Sequence, residues 1–474
     1  MDQNLGFPDK RAPNPLVLGR PRPLRCLVVV DGEHYPPVVE AAIQSLRLEG
    51  REVVAVVMAG GREKLPATGV ASIGGVAVRG GHPAAALGRA IRELSPELVV
   101  DLSDEPVLDY RRRHELVSIA LLHGVPYEGA DFYFSPPPRP KLASKPTVAI
   151  IGTGKRSGKT AVAGLAARSL AAAGRSPVVV AMGRGGPARP EVLRGDALDL
   201  AATDLLAWAD AGKHAASDYI EDALLARVPT VGCRRCGGGL AGGVAISNVA
   251  EGIRLANDLP GDLMILEGSG SAIPPAHADV TGLVVPESVP DEYLLGYLGP
   301  YRLLLSDFVF VTMGSAPSGS NSRASTVASL IKSVLRSLGR QDRRDEPRIV
   351  CTVFRPTPTR SVEGAAVMVA TTAPEEAGGS LKKHLEEHHG CRVTAVIHAL
   401  ADRGRLKGEL EAGRNGAEVL LCEVKAAAVD VATRWALEAR MEVVYLDNVP
   451  HGIEDDDPVA TLLWAGDLAM SRYR

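Results

Sequence analysis

Residues 147–174 read TVAIIGTGKRSGKTAVAGLAARSLAAAG, and this stretch decides the fold of the region around it. It opens with a short apolar run, TVAIIG, which is typical of a buried parallel strand. A glycine- and lysine-rich loop follows, and then a helical pattern that ends at Gly174, a residue type that favours helix C-termini. The order of strand, glycine-rich loop and helix predicts an α/β unit whose loop binds phosphate.

The loop GTGKRSGKT, residues 152–160, has the residue types that a nucleoside triphosphate requires. Glycines let backbone N–H groups approach an anion without Cβ clashes, and the helix N-terminus adds partial positive charge. Lys159 is predicted to bridge the β- and γ-phosphates of ATP, and the Thr160 hydroxyl to bind Mg²⁺. The strict pattern GxxxxGK[ST] has glycine where this chain has Thr153. The residues predicted to bind the nucleotide are Gly152, Thr153, Gly154, Lys155, Arg156, Ser157, Gly158, Lys159, Thr160 and Ala161.

A second stretch, DLMILEGSGSAIPP at 262–275, supplies a carboxylate for the metal. Glu267 follows four apolar residues and precedes a Gly-Ser-Gly turn, so it is predicted to end a buried strand. A P-loop needs such a carboxylate at the end of a neighbouring strand. We therefore predict that Thr160 and Glu267 bind Mg²⁺, directly or through water. The alternative is an acidic residue that merely ends a strand.

Short apolar runs alternate with longer helical patterns along all 474 residues, which is typical of βαβ units. The predicted fold class is α/β. A central P-loop NTPase domain, with a mostly parallel sheet and helices on both faces, is flanked by N-terminal and C-terminal Rossmann-like α/β units. The predicted domains are a flexible arm at 1–24, an N-terminal domain at 25–140, the P-loop domain at 141–342 and a C-terminal domain at 343–474.

Composition argues against several classes of function. The formal net charge of −3 disfavours a broad electrostatic surface for nucleic acid or acidic membranes, so any anion site must be local. The first 24 residues lack the apolar core of a signal peptide. No window approaches the ~18 uninterrupted apolar residues of a membrane span. We therefore expect a cytoplasmic protein that binds neither nucleic acid nor membrane.

The six cysteines are irregularly spaced and do not indicate a disulfide framework. The sequence CRRC at 233–236 has the spacing of a zinc ligand pair. A structural zinc site would need two further ligands, and no second CxxC occurs in the sequence. A turn that carries two arginines and two free thiols is therefore the favoured interpretation.

Two families resemble parts of this chain. The loop at 152–160 and the EGSG turn are similar to those of dethiobiotin synthetase and related ATP-dependent synthetases. With DGEHYPPVVEAA at 31–42 and MGRGGP at 182–187, the chain resembles the cyclic 2,3-diphosphoglycerate synthetase family from about residue 24 to near its C-terminus. That resemblance implies an ATP- and Mg²⁺-dependent ligase. It would close an intramolecular phosphoanhydride in 2,3-diphosphoglycerate and release ADP and phosphate.

Such a substrate carries about four to five negative charges near neutral pH, so holding it beside ATP demands local cations. Arg184 follows the second strand of the central unit, where the strand ends of open α/β sheets bind ligands. A solvated surface charge is the alternative for each basic residue. The predicted catalytic residues are Lys159, Lys155 and Arg184. The predicted substrate-binding residues are Arg184, Arg234, Arg235, Lys213, His214, Glu33 and His34.

For Glu33 and His34 a structural interpretation has equal weight. Pro36 and Pro37 would open a helix there, and Asp31 or Glu33 would cap it.

The predicted reaction has two steps. The γ-phosphoryl group of ATP is transferred to one substrate phosphate, and the neighbouring substrate phosphate then attacks and expels inorganic phosphate as the ring closes. This chemistry depends on positioning and charge neutralisation, and no general base is required because the attacking phosphate is already ionised. A concerted route is an open alternative.

Two other functions are compatible with the loop. A dethiobiotin-synthetase-like ligase acting on a carboxylate or an amine would leave the arginines near 184 and 234 unexplained. A P-loop ATPase switch that controls a protein partner commonly has lysine five residues before the P-loop lysine, where this chain has Gly154. We expect the cyclising ligase, with a small-molecule substrate, and a homodimer.

Overall fold

The computed structural model describes residues 22–61, 71–314, 322–340 and 346–473. The chain divides into two compact units on either side of the Pro136–Pro137 bond. Each unit is built on a largely parallel sheet with packed helices, which confirms the predicted α/β class. Most of the predicted arm at 1–24, and the predicted boundary between 342 and 343, lie outside the described residues.

The first unit has a sheet with the strand order β3-β4-β2-β1-β5-β6-β7. Its inner strands are parallel, and the outermost pair at each edge is antiparallel. The strands are β1 (Leu24–Asp31), β2 (Arg51–Gly60), β3 (Ser72–Ile73), β4 (Val76–Arg79), β5 (Leu98–Asp101), β6 (Tyr127–Glu128) and β7 (Tyr133–Phe134). The helices are α1 (Pro36–Leu48), α2 (Pro83–Leu94) and α3 (Tyr110–Leu122).

The second unit begins with the predicted strand, loop and helix. Its strands are β8 (Thr147–Gly152), β9 (Pro177–Gly183), β10 (Glu191–Arg194), β11 (Pro229–Cys236), β12 (Ile246–Ser247), β13 (Leu263–Glu267), β14 (Val280–Pro286), β15 (Phe308–Thr312), β16 (Arg348–Pro358), β17 (Ala366–Ala370), β18 (Arg392–Ile397), β19 (Val419–Glu423) and β20 (Glu442–Gly452). Its helices are α4 (Lys159–Ala172), α5 (Ala202–Asp210), α6 (Asp218–Ala226), α7 (Val249–Asn257), α8 (Glu292–Leu295), α9 (Gly299–Leu305), α10 (Arg323–Ser337), α11 (Gly378–His389), α12 (Arg403–Gly413), α13 (Arg434–Glu438) and α14 (Pro458–Arg472).

These strands form one sheet in the order β10-β11-β9-β13-β8-β14-β15-β16-β20-β19-β17-β18, and β12 pairs with the end of β11 outside this order. We call β8–β15 the P-loop half and β17–β20 the C-terminal half. The long strand β16 belongs to both, because its first residues pair in parallel with β15 and its later residues pair antiparallel with β20. Since β17, β18, β19 and β20 are mutually parallel, all of them run opposite to the parallel strands of the P-loop half, which are β8, β9, β11, β13, β14 and β15.

This reversal makes the carboxyl ends of the two sets of strands face each other. Thr352 of β16 pairs with Gly452, at the end of β20, and Pro358 pairs with Leu446. Leu446 in turn pairs with Glu423, the last residue of β19. From Thr352 to Pro358 a strand rises about 20 Å at ~3.3 Å per residue. The carboxyl end of β19 therefore lies about 20 Å along β16 from Thr352, whereas β20 continues across this distance and ends beside Thr352.

The halves share one hydrophobic core, which runs from β8 and α4 to Leu406, Trp435 and Leu462. Helix α4 is rich in alanine and buried around most of its circumference, as expected for a helix packed between a sheet and other helices. The C-terminal helix α14 packs on it, and Gly466 is close enough to Leu170 that a Cβ would lie 2.6 Å from its Cδ2. Among the described helices, none combines the length and apolar character of a membrane span.

Candidate active site

The loop between β8 and α4 is open at its centre and closely packed at both ends. A Cβ on Gly152 would lie 2.9 Å from Cδ of Lys159, so the lysine side chain crosses directly over this glycine. Gly158 has φ +89° and its Cα faces the Phe354 ring, which a Cβ would overlap. A Cβ on Gly154 would meet nothing within 4 Å. The middle of the loop therefore leaves space for phosphate groups.

Thr153 explains how the chain departs from the strict motif. Its backbone is outside the left-handed region, so no glycine is needed there for conformational reasons. Its N–H donates to the carbonyl oxygen of Val284 at 3.3 Å, and its side chain is buried. The residue thus extends the contact of β8 with β14 instead of lining the phosphate space.

Lys159 is held inside the loop by two hydrogen bonds. Its Nζ donates to the carbonyl oxygen of Gly154 at 2.7 Å and to Oγ of Ser157 at 3.0 Å. Burial lowers its pKa to about 8, which the negative charges of Glu267 and Asp218 partly oppose. Lys155 and Arg156, on the outer part of the loop, are exposed and face the cavity.

The predicted metal ligands are in direct contact. Thr160 Oγ1 donates to Oε1 of Glu267 at 2.6 Å, and Glu267 ends β13 beside the P-loop strand as predicted. Its side chain is 1% exposed, and its Oε2 is buried without a hydrogen-bond partner. Mg²⁺ prefers oxygen ligands and often takes only one or two from the protein, the rest coming from water and phosphates. A hydroxyl beside an unsatisfied buried carboxylate oxygen fits that requirement.

Helix α6 contributes carboxyl groups that the sequence analysis missed. Asp218, Glu221 and Asp222 have the spacing i, i+3, i+4, which places them on one face of the helix. Three acids with this spacing on a mostly apolar helix are the sequence pattern from which the cluster could have been predicted. Burial raises the pKa of Glu221 to about 8, and burial and the Glu267 carboxylate raise the pKa of Asp222 well above its usual range. Burial likewise raises the pKa of Glu267 to about 7.

These buried acids cannot all be ionised together. Both carboxyl oxygens of Asp222 and Oε2 of Glu267 are buried without a hydrogen-bond partner, and the charge of Glu267 disfavours ionisation of Asp222. Asp218 lies among basic side chains instead, and their charges oppose the rise that burial causes in its pKa. Those side chains are Lys159, Lys425, His214 and Arg184.

The structure brings two of the predicted arginines together at the turn after Glu267. A Cβ on Gly270 would touch the Arg184 guanidinium and would lie 3.1 Å from Nη2 of Arg235. Arg235 is buried and donates to the carbonyl oxygen of Ser269 at 2.6 Å. Burial and the nearby charge of Arg184 lower the pKa of Arg235. Two guanidinium groups converge beside the turn that follows Glu267, and they have the charge and the donors with which arginines bind phosphate.

The interpretation of CRRC as a turn was wrong, because these residues end strand β11. Side chains alternate along a strand, so Arg234 is exposed while Arg235 is buried. For the same reason Cys233 is buried and Cys236 is exposed, on opposite faces, and they cannot hold one metal ion together. In the described ranges, no group of three His, Cys, Asp or Glu side chains is arranged to bind a metal.

Of the adjacent residues Lys213 and His214, only His214 lies at the cavity. His214 lines the cavity and its ring packs directly over Gly185, where a Cβ would overlap it. Lys213 is exposed and pairs with Glu191, and it does not line the cavity.

Glu33 and His34 belong to the first unit. The buried carboxylate of Asp31 accepts hydrogen bonds from the Glu33 N–H at 3.0 Å and the His34 N–H at 3.1 Å, and its Oδ1 lies 2.7 Å from Nδ1 of His34. Tyr35 is the N-cap of α1, which begins with two prolines as expected, and no side chain caps it. Asp31 therefore orders the loop and does not cap the helix, and a ligand at Glu33 and His34 stays a prediction.

A cavity of about 1240 Å³ lies between the two facing edges of the sheet. Its P-loop side includes Lys159, Thr160, Arg184 and Glu267. The residues of β16 and the C-terminal half that line it, which the sequence analysis did not identify, include Phe354, Arg355, Thr372, Arg405, Glu423 and Lys425.

Glu423 anchors the C-terminal side of the cavity. Its buried carboxylate accepts hydrogen bonds from Thr371 Oγ1 and Thr372 Oγ1, both at 2.7 Å, and from Asn448 Nδ2 at 2.9 Å. Burial alone would raise its pKa, but the charge of Lys425 and these hydrogen bonds lower it. The network fixes the loops after β17 and β19 relative to β20.

Comparison with known proteins supports a single assignment along the chain. Family models described as the N-terminal domain, the P-loop domain and the C-terminal domain of cyclic 2,3-diphosphoglycerate synthetase match residues 25–135, 147–339 and 358–449. A protein of that name from Rubrobacter xylanophilus is 46% identical over 95% of this chain and 97% of its own length. One from Methanothermus fervidus is 43% identical over 92% and 95%.

Proposed function

The chain belongs to the cyclic 2,3-diphosphoglycerate synthetase family, and from that premise we propose that it is an ATP-dependent ligase that converts 2,3-diphosphoglycerate to its cyclic phosphoanhydride. The observation that supports this most is the pairing of Arg184 and Arg235 beside Glu267 and the P-loop. A nucleotide site alone would not need two further guanidinium groups next to it. A second, strongly anionic substrate would.

In the first step, an oxygen of one substrate phosphate attacks the γ-phosphorus of ATP. The bond from that phosphorus to the β–γ bridging oxygen breaks, and ADP leaves. We assign to Lys159 the neutralisation of charge on the transferred group, and to Arg184 and Arg235 the binding of the accepting phosphate. Mg²⁺ held by Thr160 and Glu267 would supply further neutralisation of the nucleotide phosphates.

In the second step, an oxygen of the other substrate phosphate attacks the phosphorus that was activated. The new P–O–P bridge closes the ring, and inorganic phosphate leaves. Both attacking oxygens are already ionised, so no side chain has to remove a proton. The protein contributes proximity and charge, which alone can account for large rate enhancements.

A ³¹P NMR time course tests this proposal. Purified protein with ATP, Mg²⁺ and 2,3-diphosphoglycerate should give a new upfield phosphoanhydride signal together with ADP and phosphate, and Lys159→Ala should give none. Positional isotope exchange within ATP, dependent on the substrate, would support a reversible first transfer. ATP turnover that ignores 2,3-diphosphoglycerate would refute the proposed substrate. A homodimer remains part of the proposal, and light scattering tests it separately.

A further inference from the structure

Lys425 is a cation of the cavity that the proposed reaction has not yet used. It lies two residues after β19, at the carboxyl edge of the C-terminal half. Its side chain is 32% exposed and lines the cavity. It also lies close enough to Lys159 that each charge affects the pKa of the neighbouring groups, including Asp218. A charge from the second edge of the sheet thus reaches the region of the P-loop.

Glu221 of α6 holds this lysine in place. The Lys425 Nζ lies 3.3 Å from Oε1 of Glu221, whose side chain is buried. Although burial would lower the pKa of Lys425, the charges of Glu221 and Glu423 raise it, so the ammonium group stays protonated near neutral pH. An ammonium group has three donors, and a single carboxylate oxygen at this distance leaves the others for a ligand in the cavity.

Lys425 differs in its surroundings from the surface lysines of the same half. Its side chain lines the cavity and contacts a buried carboxylate. Lys383, by contrast, pairs with Glu387 on an exposed face of α11.

The head-to-head arrangement of the sheet gives this cation a specific place in the reaction. The P-loop holds the nucleotide at one edge, and Lys425, which follows a strand of the facing edge, reaches Glu221 on α6 of the P-loop half. A substrate between them has one phosphate near the P-loop and Arg184, and its second phosphate needs a counter-charge from another direction. Lys425 faces the cavity from the second edge.

We propose that Lys425 binds the substrate phosphate that attacks in ring closure, and that Glu221 is a positioning residue for it. The inference rests on the proposed function and deepens it. Lys425 forms no covalent bond and transfers no proton. It neutralises the phosphate that does not receive the γ-phosphoryl group, so that this phosphate can approach its activated neighbour.

The test measures binding of the two ligands separately by calorimetry on the full chain. Mg-ADP is titrated into the protein first, and 2,3-diphosphoglycerate is then titrated into the Mg-ADP complex. We expect Lys425→Met to weaken 2,3-diphosphoglycerate binding by at least about tenfold, as for loss of one charge-assisted contact. The affinity for Mg-ADP should stay within about twofold. Lys383→Met is the matched control and should change neither value.

A second variant covers the possibility that Lys425→Met folds poorly, because it leaves the buried Glu221 without its partner. Glu221→Gln/Lys425→Met removes both charges and should give the same loss of 2,3-diphosphoglycerate affinity. In steady-state assays the KM for 2,3-diphosphoglycerate should rise while the KM for ATP does not. A residue that only supports the fold would affect both.

The outcomes separate this inference from the proposed function. Unchanged 2,3-diphosphoglycerate affinity in both variants, or an equal loss of affinity for both ligands, would overturn the role of Lys425. If the wild type still makes the cyclic product in that case, the proposed function stands. A wild-type protein that neither binds 2,3-diphosphoglycerate nor forms product would overturn both.

Discussion

Replacing Glu267 with glutamine should stabilise the ligand-free protein and abolish its activity. The side chain is 1% exposed, and burial and the nearby Asp218 charge raise its pKa from 4.5 to about 7. Because the folded state disfavours ionisation, the cost begins above the unfolded pKa of 4.5 and is complete above pH 7. At ~1.4 kcal/mol for each pH unit, this cost is about 3 kcal/mol. Glutamine avoids this cost because its side chain carries no charge.

Urea denaturation without nucleotide and with Mg²⁺ chelated measures this effect. We expect Glu267→Gln to be more stable than the wild type by up to about 3 kcal/mol at pH 8, with a margin that shrinks towards pH 5. In the ³¹P assay the same variant should lose about 100-fold or more in kcat, because the predicted metal site loses its charged ligand. A variant that is less stable than the wild type at pH 8 would refute the assigned burial cost. Full activity with the wild-type Mg²⁺ dependence would refute the metal role.

Three further variants test separate features. Thr153→Gly restores the strict P-loop pattern, yet Mg-ADP affinity measured by calorimetry should change less than about threefold. Its free energy of unfolding in urea should fall by about 1–2 kcal/mol, because glycine is more flexible and a buried side chain is lost. Arg235→Met should lower kcat/KM for cyclisation by about 100-fold, while Arg234→Met, on the opposite face of β11, should change it less than about twofold. Arg302 is buried and donates to three backbone carbonyl oxygens, one of them at Ser271, so Arg302→Met should lower the free energy of unfolding in urea by about 3 kcal/mol.

The P-loop region could be predicted from the sequence because its signals are local. The structure places a strand at Thr147–Gly152 and a helix at Lys159–Ala172, as the apolar run and the alanine-rich pattern indicated. Glu267 ends a buried strand next to β8, also as predicted. Each of these features depends on the spacing of residues within about 15 positions, where strand and helix periods are visible.

Errors arose where glycines obscured a strand. CRRC precedes three glycines, a pattern that favours a turn, whereas its pairing with β9 and β12 makes it the end of β11. Because side chains alternate between the two faces of a strand, a predicted strand here would also predict that Arg234 and Arg235 lie on opposite faces. The acids of α6 were missed for a different reason. Their spacing is visible in the sequence, but only the fold shows that this face of the helix meets Glu267.

The C-terminal side of the cavity could not be predicted, because no local pattern records the direction in which distant strands pair. Antiparallel pairing of β16 with β20 reverses four strands at once and turns their carboxyl ends towards the P-loop. Phe354 and Lys425 therefore line the same cavity as Lys159, although they follow it by 195 residues or more in the sequence. A single carboxyl edge that holds ATP offers its cations from one direction, and a second anion of similar charge would compete for them. Two edges facing each other on one continuous sheet supply cations from opposite directions, at a separation that β16 sets.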